Sequence, residues 1–178
     1  MKYSIKPIKN LVYFLILYCF MGNATVNAQA YISLAPAFAQ IKTDNESTRP
    51  TLIDLRLGYE FNEHLLELAM MSSLTDDSLN QLTVDVPSVN SIFYRYIPYM
   101  NDSIKINLIL GATQIDVDYS YPDIADTSDT FNGASFGIGF EEAFQSIPSL
   151  KLKLEVIRLY NGDELNINLL NIGVRYVF

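Results

Sequence analysis

Charged side chains occur at every second residue in several short segments of this sequence, each between large apolar neighbours. Asp54 and Arg56 alternate with leucines in one segment, and Lys151, Lys153 and Glu155 do so in another. Acids and bases on one face can form ion pairs, whose strength depends on how far water is excluded. We predict a polar network that contains Asp54, Arg56, Glu60, Glu67, Arg95, Lys105, Glu141, Lys151, Lys153, Glu155 and Arg175.

A second set of potential ligands lies in residues 116–129, DVDYSYPDIADTSD, which contain no basic residue. The acids are Asp116, Asp118, Asp123, Asp126 and Asp129. Carboxylate oxygens suit hard cations such as Ca²⁺. The spacing matches no EF-hand loop, however, because that loop needs a central Gly and a terminal Glu. We therefore favour a solvated acidic loop, and a cation site is the weaker alternative.

The N-terminal segment has the organisation of a secretory signal peptide. Three lysines within the first nine residues precede an apolar run, LVYFLILYCFM, which is too short to span a bilayer as a helix. Small residues follow it, and they predict cleavage after Ala28, with cleavage after Ala30 as the alternative. We therefore divide the chain into a signal peptide, residues 1–28, and a single domain, residues 29–178.

The composition of that domain excludes several classes of function. Removing residues 1–28 takes away three lysines and no acid, which changes the formal net charge from −8 to −11. Such a surface disfavours nucleic acid, whose phosphates need a basic footprint. The only cysteine, Cys19, lies in the predicted signal peptide, so neither a disulfide nor a thiolate metal site is expected. We predict no cofactor.

From Tyr31 onward the sequence is a series of alternating apolar and polar segments, a pattern typical of β-strands. The predicted strands cover residues 31–42, 51–61, 64–74, 82–97, 103–117, 131–142, 149–159 and 166–178. Short turns at 62–63, 98–102 and 143–148 alternate with longer polar loops, among them 118–130. Eight strands joined in this way predict an antiparallel up-and-down arrangement.

Aromatic residues recur at the strand ends that precede the short turns and at the end of the chain. They are Tyr59, Phe61, Tyr94, Tyr96, Phe140, Tyr176 and Phe178. In a membrane barrel such a row forms the girdle at one bilayer interface. The alternative is a soluble sheet whose apolar face covers a core and whose charges meet water.

The residue types on the two faces favour the membrane interpretation. One face carries large aliphatic residues, as at Leu152, Leu154 and Val156, and the segments approach the length that a tilted strand needs to cross hydrocarbon. The opposite face is rich in charges and small residues, which suit a crowded eight-stranded lumen. We predict an all-β, eight-stranded antiparallel transmembrane β-barrel in which the last strand pairs with the first.

Three stretches carry a resemblance to a known family. LRLGYEFNEHLLELA (55–69), GASFGIGFEEAF (133–144) and the terminal LLNIGVRYVF resemble the small outer-membrane β-barrels of Gram-negative bacteria, the OmpA/OmpX-like group. The resemblance implies a porin-like transmembrane β-strand architecture in the cell outer membrane, in contact with lipid and lipopolysaccharide. It also implies that the terminal strand, with Tyr176 and Phe178, is the signal read by the barrel assembly machinery.

Three functions are compatible with that architecture. The favoured one is a monomeric, non-enzymatic barrel with a structural role in the cell envelope or a surface-interaction role, in which Glu60, Glu67, Arg95 and Arg175 fill the lumen near the periplasmic end. The second is a narrow channel for ions or small solutes. The third, a lipid A-modifying enzyme, is disfavoured because the single histidine, His64, adjoins a short turn on the side opposite the outer leaflet.

Overall fold

The computed structural model describes residues 28–42, 47–75, 77–79, 82–120, 127–162 and 165–178. Within these ranges no helix is long and apolar enough to cross a membrane. The strands are β1 (Ala28–Lys42), β2 (Ser47–Thr48), β3 (Thr51–Phe61), β4 (His64–Thr75), β5 (Asp77–Leu79), β6 (Leu82–Met100), β7 (Ile104–Ser120), β8 (Thr127–Phe144), β9 (Ile147–Asn161) and β10 (Asn166–Val177).

Eight long strands form a closed antiparallel barrel, which confirms the predicted fold class. Each pairs with the next long strand along the chain, and β10 pairs with β1 from Tyr31 opposite Val177 to Lys42 opposite Asn166. The strands β2 and β5 are short additions to β1 and β6. Closure gives every long strand a hydrogen-bonding neighbour on both sides, as a strand needs in lipid.

The side chains face in the directions predicted from the positions of the charges. On β3 and β4, Leu57 and Leu68 are 57% and 58% exposed, whereas Asp54 and Arg56 are fully buried. A soluble sheet would show the reverse, because burial of apolar area is what stabilises a water-soluble fold. The exposed aliphatic rows therefore face hydrocarbon, and the charges face the lumen.

Several strands extend further than the sequence indicated, so the predicted bounds of their connections were wrong. The predicted turn 98–102 begins too early, because β6 continues to Met100 with a register irregularity between Tyr96 and Tyr99. The strands β8 and β9 likewise leave only residues 145–146 between them, and β7 and β8 continue into the predicted loop 118–130. In the predicted loop 118–130 the residues are mostly polar and therefore look like a loop in sequence, yet Asp118 pairs with Ser128 across β7 and β8.

The two-residue connection between β3 and β4 depends on an asparagine. Asn62 has a φ of 54°, in the left-handed region that most side chains avoid. Asparagine tolerates this conformation because its short polar side chain can hydrogen-bond locally. The turn fixes the register in which Phe61 lies opposite His64, and the register in turn decides which residues of β4 face the lumen.

The closed barrel predicts a heat-dependent change of electrophoretic mobility. The protein from membrane fractions should migrate differently on a detergent gel before and after boiling, because eight paired strands without a free edge resist detergent. The boiled sample serves as the unfolded reference. Identical mobility of the two samples, together with recovery of the protein in the soluble periplasmic fraction, would contradict the membrane orientation of the two faces.

Candidate functional site in the barrel interior

Five charged residues from four different strands meet inside the half of the barrel that has the short turns. Strand alternation directs Asp54 and Arg56 of β3, Glu67 of β4, Arg95 of β6 and Glu155 of β9 inward. Each is at most 1% exposed. Charges removed from water to this extent are stable only when they are closely paired, because desolvation of a single ion is costly.

Arg56 lies at the centre of this cluster and contacts three carboxylates. Its Nε and Nη2 donate to Asp54 at 2.6–3.0 Å, and Nη1 donates to Oε2 of Glu67 at 3.1 Å. Its Nη2 also lies 3.0 Å from Oε2 of Glu155. The guanidinium carbon is 5.1 Å from the centroid of the Phe93 ring. The planar guanidinium thus donates hydrogen bonds from its edge and packs its face against an aromatic ring, and a lysine could not make both contacts.

Arg95 contacts two of the same carboxylates from the other side. Its Nε donates to Oε2 of Glu67 at 2.6 Å, and its Nη1 lies 2.6 Å from Oε1 of Glu155. The hydroxyl of Tyr31 donates to Oε1 of Glu67 at 2.9 Å. Because two arginines share Glu67 and Glu155, the cluster is one continuous network across the lumen.

A second cluster surrounds Arg175 nearer the short-turn end of the barrel. Its Nη1 donates to Glu60 at 2.7 Å and its Nη2 to Glu141 at 2.5 Å, and the guanidinium lies over the Tyr31 ring. Lys105 also pairs with Glu60, and these two side chains are the more exposed ones, at 14% and 10%. The partial exposure marks where the network meets water at the short-turn end.

The remaining lysines of the predicted network are less closely paired. Lys153 is buried, with its Nζ 3.7 Å from Oε2 of Glu155. Lys151 is only partly buried and lies opposite Arg175 in the β9–β10 register. The structure therefore brings ten of the eleven predicted residues into ion pairs and leaves Lys151 at the rim, with no ion pair described for it.

Sequence reasoning missed several neutral residues of this polar half. Asn171 donates to Asp54, and Tyr31 connects Glu67 with Arg175. Asn107 is also fully buried on the same side. All three occupy inward positions of their strands, so the alternation that located the charges also marks these residues. They were missed because the prediction considered only formal charge.

The half of the lumen opposite the short turns is apolar, which the sequence analysis did not predict. Side chains from every long strand except β8, together with Leu165 just before β10, form one buried cluster there: Ala37, Ala39, Ile41, Leu52, Ala69, Met71, Val84, Val86, Val89, Phe93, Ile109, Ile115, Val117, Ile157, Leu159, Leu165, Ile167 and Leu169. The rings of Phe131 and Tyr160, 5.4 Å apart, pack against it. We refer to this cluster as the apolar plug.

A row of hydroxyl groups crosses the apolar plug. Ser91 and Thr113 share a hydrogen bond of 2.8 Å, Thr113 and Ser135 share one of 2.5 Å, and Ser135 donates to the carbonyl of Leu159 at 2.9 Å. The row connects β6, β7, β8 and β9. Each buried hydroxyl thereby has a partner, as burial in an apolar region requires.

The acidic run of residues 116–129 does not form the predicted loop over its whole length. Asp116 and Asp118 lie on β7 and Asp129 lies on β8, whereas Asp123 and Asp126 lie outside the described residues. Asp116 accepts hydrogen bonds from Ser88 and Thr130 at 2.6 and 2.8 Å. These bonds lower the pKa of Asp116, which lies on β7 six residues beyond the last exposed leucine, Leu110. In the part of the chain that is described, no three potential ligands are grouped for a metal.

His64 lies within the aromatic girdle and not in the lumen. Its Nδ1 is 2.7 Å from the hydroxyl of Tyr94, and its ring is 5.6–5.8 Å from those of Phe61, Tyr94 and Tyr96. These contacts place the imidazole at the short-turn end of the barrel. An imidazole held against aromatic rings there suits the boundary between hydrocarbon and water.

Comparison with known proteins gives the same architecture. The chain matches the family of outer membrane protein beta-barrel domains over residues 12–178. No curated protein matches it significantly. Among solved structures, 85% of the chain superimposes on 99% of Ail, the attachment invasion locus protein of Yersinia pestis, in complex with the heparin analogue sucrose octasulfate (TM-score 0.65, 17% identity).

Two further structures are similar to a comparable degree. Neisserial surface protein A is 14% identical, with a TM-score of 0.67, 85% of this chain covered and 99% of that protein. The N-terminal β-barrel domain of Pseudomonas aeruginosa OprF is 13% identical, with a TM-score of 0.61, and the alignment covers 86% of this chain and 98% of that domain. At these identities the likeness concerns the fold alone.

Proposed function

Since this chain belongs to the outer membrane protein beta-barrel domain family, we propose that it is a sealed, non-conducting barrel of the cell outer membrane. Its role is then to supply a stable transmembrane base for the strand ends and connections on the extracellular side. That role is structural or one of surface interaction. The observation that carries the proposal is that the lumen is filled along its length, by the charged network in one half and by the apolar plug in the other.

The apolar plug is the layer that supports sealing most strongly. Its bulky members Phe93, Ile109, Ile157 and Leu159 are at most 1% exposed. A narrow passage lined by such side chains excludes water, and an ion could enter only by losing its hydration shell. In the charged half, each carboxylate of the network contacts at least one cation. Both layers would have to rearrange before an ion could pass.

We expect no stable conductance steps from the purified, folded protein in planar bilayers. Insertion is verified independently by the heat-dependent mobility of protein recovered from the same proteoliposomes. The matched comparison is a triple variant, Ile109→Ser, Ile157→Ser and Leu159→Ser, which should show leak currents that the original chain lacks. Reproducible unitary steps from the unmodified protein would contradict sealing and support the channel alternative.

We further propose that the protein is not an enzyme. The single imidazole, that of His64, is hydrogen-bonded to the hydroxyl of Tyr94 in the girdle at the short-turn end. This end lies about a membrane's thickness from a lipid A phosphate in the outer leaflet. Mass spectrometry of lipid A from cells with and without the protein tests this proposal. Unchanged acylation and phosphorylation are expected, and a difference abolished by His64→Gln would establish catalysis.

The remaining parts of the proposal concern targeting and assembly. Residues 1–28 act as a cleaved signal peptide, and the terminal residues Tyr176 and Phe178 are recognised by the barrel assembly machinery. Their rings contact each other edge to face at the outer surface of the barrel, where such recognition is sterically possible. The folded protein is a monomer, because its outward rows suit lipid. N-terminal sequencing of the mature protein distinguishes cleavage after Ala28 from cleavage after Ala30.

A further inference from the structure

One arginine interrupts the apolar rows on the outer surface of the barrel. Along β9 the outward residues Leu152, Leu154 and Val156 are 41–54% exposed, and the next outward residue toward the extracellular end is Arg158. In the sheet it lies opposite Phe136 of β8 and Asn168 of β10. The guanidinium is therefore placed at the upper edge of the hydrocarbon-facing belt, on the side of the outer leaflet.

The guanidinium is held in place by neutral groups. Its Nε donates to Oδ1 of Asn168 at 3.0 Å, and its Nη1 donates to Oδ1 of Asn161 at 3.2 Å. Its central carbon is 5.9 Å from the centroid of the Phe136 ring. These partners fix its orientation without neutralising its charge. A guanidinium has five N–H groups, so donors beyond these two can bind a ligand.

An apolar groove lies directly below the guanidinium. It has a volume of about 600 Å³ and is lined by residues of β7, β8, β9 and β10: Leu108, Leu110, Phe136, Ile138, Val156 and Asn168. The groove faces the lipid, because its leucines, its valine and Ile138 belong to the exposed rows. A ligand that fits both features must have a hydrocarbon chain and an anionic head.

The charges on the neighbouring strands restrict where the anionic head can lie. On β6 and β7 the outward residues at the extracellular end include Ser88, Asn90, Gln114 and Asp116, and the carboxylate of Asp116 would repel a phosphate. On the β9–β10 side the corresponding residues are Arg158 and Asn168. Charge complementarity thus directs an anion toward Arg158, and planar guanidinium groups bind phosphate with two parallel hydrogen bonds.

We propose that Arg158 and Asn168 bind a phosphate of lipid A in the outer leaflet, with an acyl chain of the same molecule in the groove below. A cation at the edge of hydrocarbon is unfavourable without a counter-ion, and the lipid phosphate supplies one. The proposal rests on the outer-membrane location of the barrel. It is independent of whether the lumen conducts, so the bilayer recordings and the binding experiment succeed or fail separately.

The test measures binding of fluorescent lipid A to the folded, detergent-purified protein and to Arg158→Gln. We expect the variant to bind about tenfold more weakly, because a hydrogen-bonded ionic contact is lost. Lys42→Gln is the matched control, since it removes one exposed cation from the outward face at the extracellular end of β1. All proteins are first verified as heat-modifiable barrels, so that loss of folding is not mistaken for loss of binding.

Two further ligands identify what the site recognises. Lipid A without its phosphates should bind the unmodified protein about as weakly as intact lipid A binds Arg158→Gln, and inorganic phosphate should compete poorly. Equal binding of lipid A by Arg158→Gln and by the Lys42→Gln control would overturn the proposal. Competition by inorganic phosphate at concentrations similar to those of lipid A would also overturn it, because the groove would then contribute nothing.

Discussion

Replacing Arg56 by methionine is expected to destabilise the folded barrel by about 3–5 kcal/mol, the loss that follows removal of one partner from a buried ion pair. The side chain contacts Asp54, Glu67 and Glu155, and the arginine and its three partners are at most 1% exposed. Methionine fills much of the same volume but leaves Asp54 with Asn171 as its described polar partner. The cost therefore comes from unpaired carboxylates and not from a cavity.

The measurement is the free energy of unfolding in urea with the protein in lipid vesicles. Arg95→Leu should also lose stability, because Arg95 pairs with Glu67 and Glu155. Adding Asp54→Leu to Arg56→Met should recover part of the loss, since it removes one uncompensated charge. Lys42→Met, at an exposed strand end, is the control and should change stability by no more than about 0.5 kcal/mol. Unchanged urea stability of both lumen variants would refute an energetically coupled network.

Gly173→Val is expected to prevent closure of the barrel. A β-carbon at residue 173 would overlap Cβ of Ala35 and the carbonyl oxygen of Leu34 on the facing strand. Those atoms belong to β1, and β1 and β10 form the seam that joins the two ends of the chain. Because one of the overlapping atoms is backbone, no side-chain rotation can relieve the clash. The loss should exceed the 1–3 kcal/mol typical of overpacked cores.

The expected observation for Gly173→Val is a single gel mobility, the same before and after boiling, under refolding conditions in which the unmodified protein shifts. Gly139→Ala is the matched control. An added β-carbon there would lie 3.3 Å from Cγ of Glu155 and 3.6 Å from Cβ of Asn107, which are side-chain atoms able to move slightly. That variant should still fold and show the shift. A fully heat-modifiable Gly173→Val barrel would contradict the prediction. It would show that β1 and β10 can move apart around residue 173 while the barrel stays closed.

The fold could be predicted from the sequence because charged residues reveal which face of each strand points into the lumen. A charge cannot face hydrocarbon cheaply, so Arg56, Lys153 and Glu155 each fix the inward face of their strand. Charges give no such information where both faces of a strand are apolar. On β9, Leu154 and Val156 face outward, whereas Ile157 and Leu159 face the lumen. In sequence the residues of the apolar plug therefore look the same as the lipid-facing ones.

Arg158 is a case in which the charge of a residue indicates the wrong face of its strand. Its charge suggests an inward position, yet the alternation set by Lys153 and Glu155 places it outward, as the structure also has it. The pairing partners of the lumen charges were also beyond prediction. The contact between Arg56 of β3 and Glu155 of β9 crosses the lumen between strands that share no hydrogen bonds. Sequence periodicity gives the face of a strand but not the distance across a closed barrel.

The division of the interior into a charged half and an apolar plug has a consequence for how such a protein can evolve. The plug separates the ionic network from the extracellular strand ends, and nonspecific apolar packing tolerates changes in shape better than a fixed set of ion pairs does. The structural effects of substitutions or insertions on the extracellular side are therefore absorbed before they reach the ion pairs of Arg56, Arg95 and Arg175. Sequence changes at the extracellular end should therefore cost less stability than changes among the buried charges, so the two ends differ in how freely they can vary.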